Sequence, residues 1–333
     1  MIEEKLEIVL ITYNRADYLD HTLKEVLKSP FADCKITILD NSSIDNTSAV
    51  CAKYQKLYSN MKVVRHKRNI GGNPNILRAV ETSSSTYTWI LCDDDNYDFS
   101  DCVDVIEAID SEKFDLISIG APGQQDWERG LEITSQELVE RGSKYFHIFT
   151  FVPGFIYKTE LYDSMCVHEG YFNIHNIYPH FPFINKSFEE NFQVYVSKKE
   201  IIVRGIENEG YFTELFWFKS WLNNCSTIKD KKVRRKTIYE SPIDDYPFIR
   251  RLIYFITREK INAQDHRNTM DFLTAFVLAF GYSRDQFLLL VIIPLLLVPV
   301  FFYKRFINFY LSNRKDGTET SLKTDEVDPF RRW

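Results

Sequence analysis

The stretch Tyr87-Thr88-Trp89-Ile90-Leu91-Cys92-Asp93-Asp94-Asp95 places three consecutive carboxylates directly after an apolar run. A run of this length, rich in aromatic and β-branched residues, predicts a buried strand over residues 87–92. Because an unpaired charge beside a buried strand is costly, we expect a positive group there. Two aspartates one residue apart can hold a hard cation such as Mg²⁺ or Mn²⁺, which in turn binds a diphosphate. A solvated acidic turn is the alternative.

Three more strand–helix pairs are predicted before this strand. Short apolar runs predict strands that end near Thr12, Leu39 and Arg65. Helical patterns follow them over residues 17–28, 46–58 and 74–81. Strands that alternate with helices of about ten residues indicate βαβ units and a mostly parallel sheet. The sequence therefore predicts an α/β fold in which polar segments line one edge of the sheet.

A polar segment follows each predicted strand. In chain order these segments are Thr12-Tyr13-Asn14-Arg15, Asp40-Asn41-Ser42-Ser43, Asn69-Ile70-Gly71-Gly72-Asn73 and Asp93-Asp94-Asp95. Together they resemble the landmarks of the family 2 (GT-A fold) glycosyltransferases, inverting enzymes that use nucleotide-sugars. The resemblance covers roughly residues 5 to 165. It implies a GT-A, Rossmann-like, mostly parallel sheet flanked by helices, here with a helical C-terminal extension.

The resemblance also implies a binding site for a nucleotide-sugar, with a UDP-sugar as the expected donor. Asp40 stands where the family reads the uracil edge, and Tyr13 and Arg15 suit base stacking and phosphate binding. Turn formation is the alternative role for Asp40 and for the glycines, and core packing for Tyr13. The implied binding residues are Thr12, Tyr13, Arg15, Asp40, Gly71, Gly72, Asn73, Asp93 and Asp94.

The same resemblance implies that the aspartates form an Asp-x-Asp (DXD) metal motif for Mn²⁺ or Mg²⁺. Asp95 and Asp93 are the implied metal ligands, with Asp93 nearer the ribose and diphosphate. Asp94 could instead pair with a neighbouring Lys or Arg. The cation would act as a Lewis acid on the charge that develops as the nucleoside diphosphate departs.

Inversion by direct displacement also needs a general base for the acceptor hydroxyl. Many family members supply an acidic pair, and this sequence departs from that pattern. His180, which lies between aromatic residues and prolines, is the leading candidate because imidazole titrates near working pH. Glu189 and Glu190 are the acidic alternatives, and His175 is a weaker one. Asp126 could also line the acceptor side, and simple packing is the alternative role for His180.

Composition fits an intracellular enzyme and argues against a nucleic-acid-binding protein. The 333 residues can form a sizeable core, and the net charge of −6 leaves no strongly basic domain. Six cysteines without a Cys-x-x-Cys pair predict reduced thiols rather than a disulfide framework or zinc site. The acidic first residues do not resemble a signal peptide. A homo-oligomer is compatible with the sequence.

The C-terminal half predicts a separate organisation. We expect a catalytic domain over residues 1–208, with a nucleotide-sugar half (1–100) and an acceptor half (101–208), then a helical region over 209–283. We expect residues 284–310 to form a hydrophobic membrane-associating segment and residues 311–333 a disordered tail. Phe287–Tyr303 carries no charge, and as a helix its 17 residues would span roughly 25 Å, just short of a hydrocarbon core. The basic residues that follow, Lys304 and Arg305, count against a complete span under the positive-inside tendency, so we expect peripheral or monotopic attachment to the membrane surface. A transmembrane anchor and a buried C-terminal helix are the alternatives.

Taken together, these features predict a metal-dependent inverting glycosyltransferase on the cytoplasmic side of the inner (plasma) membrane. Its acceptor would be a saccharide or lipid-linked saccharide in bacterial surface polysaccharide synthesis, such as O-antigen or capsule. Attachment to the inner leaflet would raise the effective concentration of a lipid-linked acceptor. One alternative is a sugar-nucleotide nucleotidylyltransferase, which would require a glycine-rich basic loop after the first strand. The other is a non-catalytic membrane-associated nucleotide- or sugar-binding module.

Overall fold

The computed structural model describes residues 1–120, 128–141, 151–175, 178–203, 220, 224–225, 227–239 and 305. The first elements are α1 Ile2–Lys5, β1 Leu6–Thr12, α2 Ala16–Val26, β2 Lys35–Asp40, α3 Thr47–Leu57, β3 Met61–Arg65, α4 Gly72–Thr82 and β4 Tyr87–Cys92. The later ones are β5 Asn96–Tyr97, α5 Val103–Ser111, β6 Leu116–Ser118, β7 Leu131–Thr134, α6 Ser135–Arg141, β8 Phe155–Lys158, α7 Ser164–Phe172, α8 Phe181–Glu189, β9 Gln193–Val196, β10 Ile202–Val203 and α9 Lys231–Tyr239.

The described strands form an eight-stranded mixed sheet in the order β3-β2-β1-β4-β8-β6-β9-β7, and a two-stranded ribbon of β10 and β5. Strands β3, β2, β1 and β4 are parallel, β8 runs antiparallel to both β4 and β6, and β9 is parallel to β6. Strands β1 to β4, β6 and β9 therefore all end at the same edge, which we call the carboxyl edge. The predicted α/β, mostly parallel sheet with flanking helices is confirmed.

The register brings the polar strand ends side by side. Thr12 pairs with Asp40, and Asp40 pairs with Arg65, across three neighbouring strands. Cys92, the last residue of β4, is level with Ile11 on β1. The strand and helix boundaries predicted from the sequence up to β4 agree with these elements to within a few residues. The sheet therefore collects the four polar segments at the carboxyl edge.

A cluster of aromatic side chains packs against β4. The fully buried ring of Trp89 contacts Phe31 edge-to-face, with ring centroids 5.5 Å apart, and Phe99 at 6.0 Å. Its indole N–H donates to the carbonyl of Pro153 at 2.9 Å, so the polar group of this buried side chain is satisfied. Each such aromatic pair contributes about 1 kcal/mol beyond its burial. The strand that carries the aspartates is therefore firmly anchored.

The chain divides into two compact units, Met1–Gly210 with Trp333, and Tyr211–Arg332. Most of the second unit lies outside the described residues, as do the predicted hydrophobic segment 284–310, the predicted tail 311–333 and Asp126. Among the described helices, none combines the length and the apolar character needed to cross a membrane.

Candidate functional site

The loops after β1 and β2 are tied together by side-chain hydrogen bonds. Asn14, in the left-handed region at φ 52°, accepts from the Ile44 N–H through its side-chain oxygen at 2.7 Å, and its own N–H donates to Ser43 Oγ at 2.9 Å. Asp45 accepts from the Ala16 N–H at 3.0 Å, at the start of α2. These bonds fix the position of Arg15, which lies between them in the chain.

Asp40 is buried, with 1% of its surface exposed, and both of its carboxylate oxygens are engaged. Oδ1 accepts from the Ser43 N–H at 2.8 Å, which closes a local turn. Oδ2 lies 3.4 Å from Arg65 Nε. Asp40 thus stands at the predicted place on the carboxyl edge, and it also performs the turn function that was its alternative role.

Asn41 connects the end of β2 to the glycine turn after β3, a role that its sequence context did not reveal. Its Oδ1 accepts from the Ile70 N–H at 2.9 Å, and its Nδ2 donates to Asn69 Oδ1 at 2.9 Å and to the Gly71 carbonyl at 3.2 Å. Gly71 has a φ of 91°, which residues with a Cβ rarely adopt. Only the first of the two glycines is therefore required by the backbone.

Helix α4 begins at Gly72, directly after this turn, and its amino end faces the carboxyl edge. Exposed N–H groups at a helix start attract phosphate oxygens. Within the first turn, Asn73 Nδ2 donates to the Ile174 carbonyl at 2.8 Å and so ties α4 to the segment after α7. Exposed His175 follows Ile174 and therefore also lies at the carboxyl edge.

Arg15 binds two of the three aspartates. Its Nη1 lies 3.1 Å from Asp93 Oδ1 and 2.6 Å from Asp94 Oδ2, so Arg15 is the basic partner of Asp94. Asp93 is 3% exposed, and its Oδ2 has no hydrogen-bond partner among the described residues. Thr12 Oγ1, also buried, lies close enough to the Asp93 carboxyl to lower its pKa, although the two groups form no hydrogen bond of normal geometry. Buried oxygens without a partner are uncommon and often mark a place where an ion or ligand binds.

The acidic cluster has too little positive charge beside it to keep all of its carboxyl groups ionised. Burial raises the pKa of Asp93 to about 7, against the opposing effect of Arg15. Burial also raises the pKa of Asp95 to about 8, and the charges of Asp94 and Asp93 add to that effect. A divalent cation would supply the missing charge and let these carboxylates ionise. The donor set therefore fits such a cation.

The closest group of ligand atoms in the described part of the chain is Cys92 Sγ with a carboxylate oxygen each from Asp94 and Asp95, all within 4.8 Å of one another. The resemblance implied Asp93 and Asp95 as the ligands. In the structure Asp95 belongs to the clustered donors, whereas Asp93 is not among them and pairs with Arg15. The turn after β4 thus brings Asp94 and Cys92 beside Asp95.

His180 and the two glutamates lie at opposite ends of one helix. His180 immediately precedes α8, whose nine residues span about 14 Å. Because α8 leads to the start of β9, its first residue lies near the carboxyl edge, and Glu189 and Glu190 lie at the opposite edge. His180 is only 3% exposed, and its ring packs 5.9 Å from that of Phe155 and 6.2 Å from that of Tyr178. The direction of α8 thus leaves His180, and not the two glutamates, near the edge of the sheet that carries the aspartates.

Comparison with known proteins agrees with this geometry. Residues 7–192 match the family described as "Glycosyl transferase family 2". Two curated relatives match over short segments. The teichuronic acid biosynthesis glycosyltransferase TuaG of Bacillus subtilis is 26% identical over 92 residues, which are 28% of this chain and 36% of TuaG. The GalNAc(5)-diNAcBac-PP-undecaprenol β-1,3-glucosyltransferase of Campylobacter jejuni is 29% identical over 94 residues, 27% and 30% of the two chains.

The chain thus spans about a third of the length of these curated relatives. Among solved structures, residues 1–349 of S. aureus TarS in complex with UDP-GlcNAc superpose with a TM-score of 0.59 at 18% identity, over 84% of this chain and 81% of that one. This likeness concerns the fold. The family match covers more than half of the chain, and the protein belongs to glycosyl transferase family 2.

Proposed function

We propose that this protein is a divalent-cation-dependent, inverting glycosyltransferase that moves one sugar from a nucleotide-sugar to a saccharide or lipid-linked saccharide in bacterial surface polysaccharide synthesis. The observation that carries the proposal is the buried acidic cluster at the carboxyl edge, where Asp93 Oδ2 forms no hydrogen bond of normal geometry within the described part of the chain and the pKa of Asp95 is raised to about 8. Ligands of α/β sheets bind at this edge.

The donor would lie across the loops that the structure ties together. Asp40 would face the base, Tyr13 would stack on it, and the amino end of α4 would approach the diphosphate. UDP is the expected nucleotide, supported by the TarS complex with UDP-GlcNAc. Arg15, now paired with Asp93 and Asp94, would share its guanidinium with the phosphate oxygens once a cation neutralises those carboxylates.

Asp94 and Asp95 would hold Mn²⁺ or Mg²⁺, with Asp93 beside them. When bound, the cation supplies Lewis-acid stabilisation to the departing diphosphate. The residues of the chain orient the nucleotide and hold the leaving phosphates in place. The family match and the retained aspartates favour this function over a non-catalytic binding module or a nucleotidylyltransferase.

We assign His180 as the general base and His175 as its alternative. The assignment is supported by the direction of α8, which begins after His180 toward the carboxyl edge and ends at Glu189 and Glu190 toward the opposite edge. For His175 it is supported by the hydrogen bond from Asn73 to the neighbouring Ile174 carbonyl. The two histidines differ in exposure, since His180 is buried among aromatic rings and His175 is exposed. Replacing each by Asn should separate them, because only loss of the base abolishes transfer while UDP affinity is kept. If both variants retain turnover, the assignment is wrong.

The acceptor proposal draws on the two curated relatives, whose names refer to teichuronic acid biosynthesis and to an undecaprenol-linked glycan. An acceptor of this kind would suit attachment of the chain to the cytoplasmic side of the inner membrane through Phe287–Tyr303. Binding of the full chain to vesicles with anionic lipid, compared with a variant that ends near Ser283, tests that attachment. Equal binding of the two forms would contradict it.

The direct test of the activity is a hydrolysis screen across nucleotide-sugars with Mn²⁺, with Mg²⁺ and with a chelator. We expect release of UDP from at least one UDP-sugar, dependent on the cation and lost in Asp95→Ala. A matched variant, Asp98→Ala, removes a carboxylate three residues along that pairs with Lys199 and should keep the activity. Absence of turnover with every donor, or turnover unaffected by the chelator, would contradict the proposal.

A further inference from the structure

One edge of the sheet carries an excess of positive charge, although the net charge of the chain is −6. Residues 46–80, which form α3, the edge strand β3 and most of α4, contain no Asp or Glu. The cationic residues of this segment are Lys53, Lys56, Lys62, Arg65, Lys67, Arg68 and Arg78. A local excess of cations on an acidic protein favours an anionic partner.

Lys67 and Arg68 are the members of this set that lie in the loop after β3, at the carboxyl edge. Both residues are exposed, and neither forms an ion pair with any other residue that the structure describes. Just before them, the His66 N–H donates to the Asp40 carbonyl at 2.9 Å, which fixes the start of the loop. A fixed strand end therefore presents both cations to solvent.

Two exposed isoleucines lie in the same region. Ile44, in the loop after β2, is 88% exposed, and Ile70, in the loop after β3, is 39% exposed. Both are held by their backbones, since the Ile44 N–H donates to Asn14 Oδ1 at 2.7 Å and the Ile70 N–H donates to Asn41 Oδ1 at 2.9 Å. Apolar side chains that are grouped with cations, rather than scattered singly, indicate a contact surface.

The loops that carry these residues lie side by side. Arg65 Nη2 donates to the Ser43 carbonyl at 2.6 Å, one residue before Ile44. Asn41 Nδ2 donates to Asn69 Oδ1 at 2.9 Å, between Arg68 and Ile70 in the chain. These bonds join the two loops into one surface, and we define its edge patch as Ile44, Lys67, Arg68 and Ile70.

The carboxylate of Asp45 borders the edge patch, because Asp45 follows Ile44 in the chain. It accepts from the Ala16 N–H and from the Thr47 N–H, each at 3.0 Å. Its oxygens are therefore directed toward the starts of α2 and α3. The two cations of the edge patch still exceed this one negative charge.

We propose that the edge patch docks on the surface of an anionic lipid bilayer, with its cations at the headgroup phosphates and its isoleucines between the headgroups. The inference rests on the proposed function, because docking would hold the carboxyl edge near a lipid-linked acceptor. Charge complementarity and the exposed isoleucines together favour this occupant. A soluble polyanion would bind the cations but leave Ile44 in water. The contact is distinct from attachment through Phe287–Tyr303, since the edge patch belongs to the first compact unit.

The test is binding of the full chain to vesicles of phosphatidylcholine alone and of phosphatidylcholine with about one third phosphatidylglycerol, measured by sedimentation. The charge variant is Lys67→Glu with Arg68→Glu. Its matched control is Lys28→Glu with Lys35→Glu, which changes the net charge equally. Lys28 follows α2 and Lys35 begins β2, so these two exposed lysines lie at the opposite edge of the sheet.

The apolar variant is Ile44→Ser, and its matched control is Leu57→Ser. Leu57 is 66% exposed and ends α3, toward the opposite edge. The Kd of UDP with Mn²⁺ is measured for all four variants, which shows whether a substitution acts on the nucleotide site instead.

We expect phosphatidylglycerol to strengthen binding of the wild type. Binding to these anionic vesicles should fall about twentyfold or more in the charge variant, because each cation at such a surface contributes about fivefold. It should fall about fivefold in Ile44→Ser and stay within about twofold of the wild type in both controls. The UDP affinity of all four variants should equal that of the wild type.

Equal vesicle binding by the charge variant and its control would overturn the inference. Unchanged vesicle binding by Ile44→Ser would also overturn it, in favour of a soluble polyanion as the partner. A fall in UDP affinity that matches the fall in vesicle binding would assign the cations to the nucleotide instead. In each case the cation-dependent release of UDP by the wild type would still stand, so the two proposals fail separately.

Discussion

Replacing Asp95 by Asn should stabilise the protein at alkaline pH in the absence of a cation. The pKa of Asp95 is raised from 3.8 to about 8, first by burial and then by the charges of Asp94 and Asp93. Between these two pH values the folded protein retains a proton that the unfolded chain has released. The free energy of unfolding therefore decreases as the pH rises from about 4 to about 8, and Asp95→Asn removes that loss.

The size of the effect follows from the shift. Each pKa unit corresponds to about 1.4 kcal/mol. Because solvent reaches the partly buried side chain and neighbouring carboxyls share the repulsion, we expect about a third of the full amount, about 2 kcal/mol at pH 8. A saturating divalent cation should make the wild type more stable than Asp95→Asn. A ligand at 100 times its Kd stabilises the wild type by about 2.7 kcal/mol and leaves the variant unchanged.

The assay is urea denaturation of the full chain at pH 5 and pH 8, with a chelator and then with Mn²⁺. Asp98→Asn is the matched control, because hydrogen bonding to Lys199 and Ser100 holds the pKa of Asp98 at about 2. Its neutralisation should lower stability at both pH values. An Asp95→Asn variant that is less stable than the wild type at pH 8 without cation would refute the reasoning.

Three further substitutions, with Gly72→Ala as a control for one of them, test the backbone and charge pairing that shape the site. Gly71→Ala should lower stability by about 1–2 kcal/mol because φ is 91°, whereas Gly72→Ala, where φ is not positive, should not; thermal unfolding compares them. Gly170→Ala would put a Cβ 2.7 Å from a backbone oxygen of the segment before α8, and should cost about 1–3 kcal/mol and reduce turnover. Arg15→Ala removes the guanidinium that pairs with Asp93 and should lower the free energy of unfolding by about 1–3 kcal/mol at pH 8 and by less at pH 5. Unchanged midpoints of urea denaturation would contradict this.

The sequence predicted the parts of the fold that depend on local patterns. Apolar runs marked β1 to β4, and the polar residues after each run marked the edge where they meet, because parallel strands place their ends together. The resemblance drew attention to Asp93, Asp94 and Asp95 for the same reason, since they directly follow a strand.

Other features depend on contacts between distant residues. Arg15 reaches Asp93 across 78 positions, and Asn41 reaches the Gly71 turn across 30, so neither pairing is visible in local sequence. The position of Glu189 and Glu190 relative to the carboxyl edge depends on the direction of β9, the strand that follows them. Strand β9 is parallel to β6, and β6 is parallel to β4 because the antiparallel β8 lies between them. Nothing in the local pattern separates one end of α8 from the other as a site for the base.

The central claim is that the acidic cluster binds a cation and, through it, the diphosphate of a nucleotide. The most direct measurement is the Kd of UDP for the wild type and Asp95→Ala, by calorimetry with Mn²⁺ and with a chelator. We expect Mn²⁺ to tighten UDP binding to the wild type by about tenfold or more and to have little effect on the variant. Equal UDP affinity in all four conditions would contradict it.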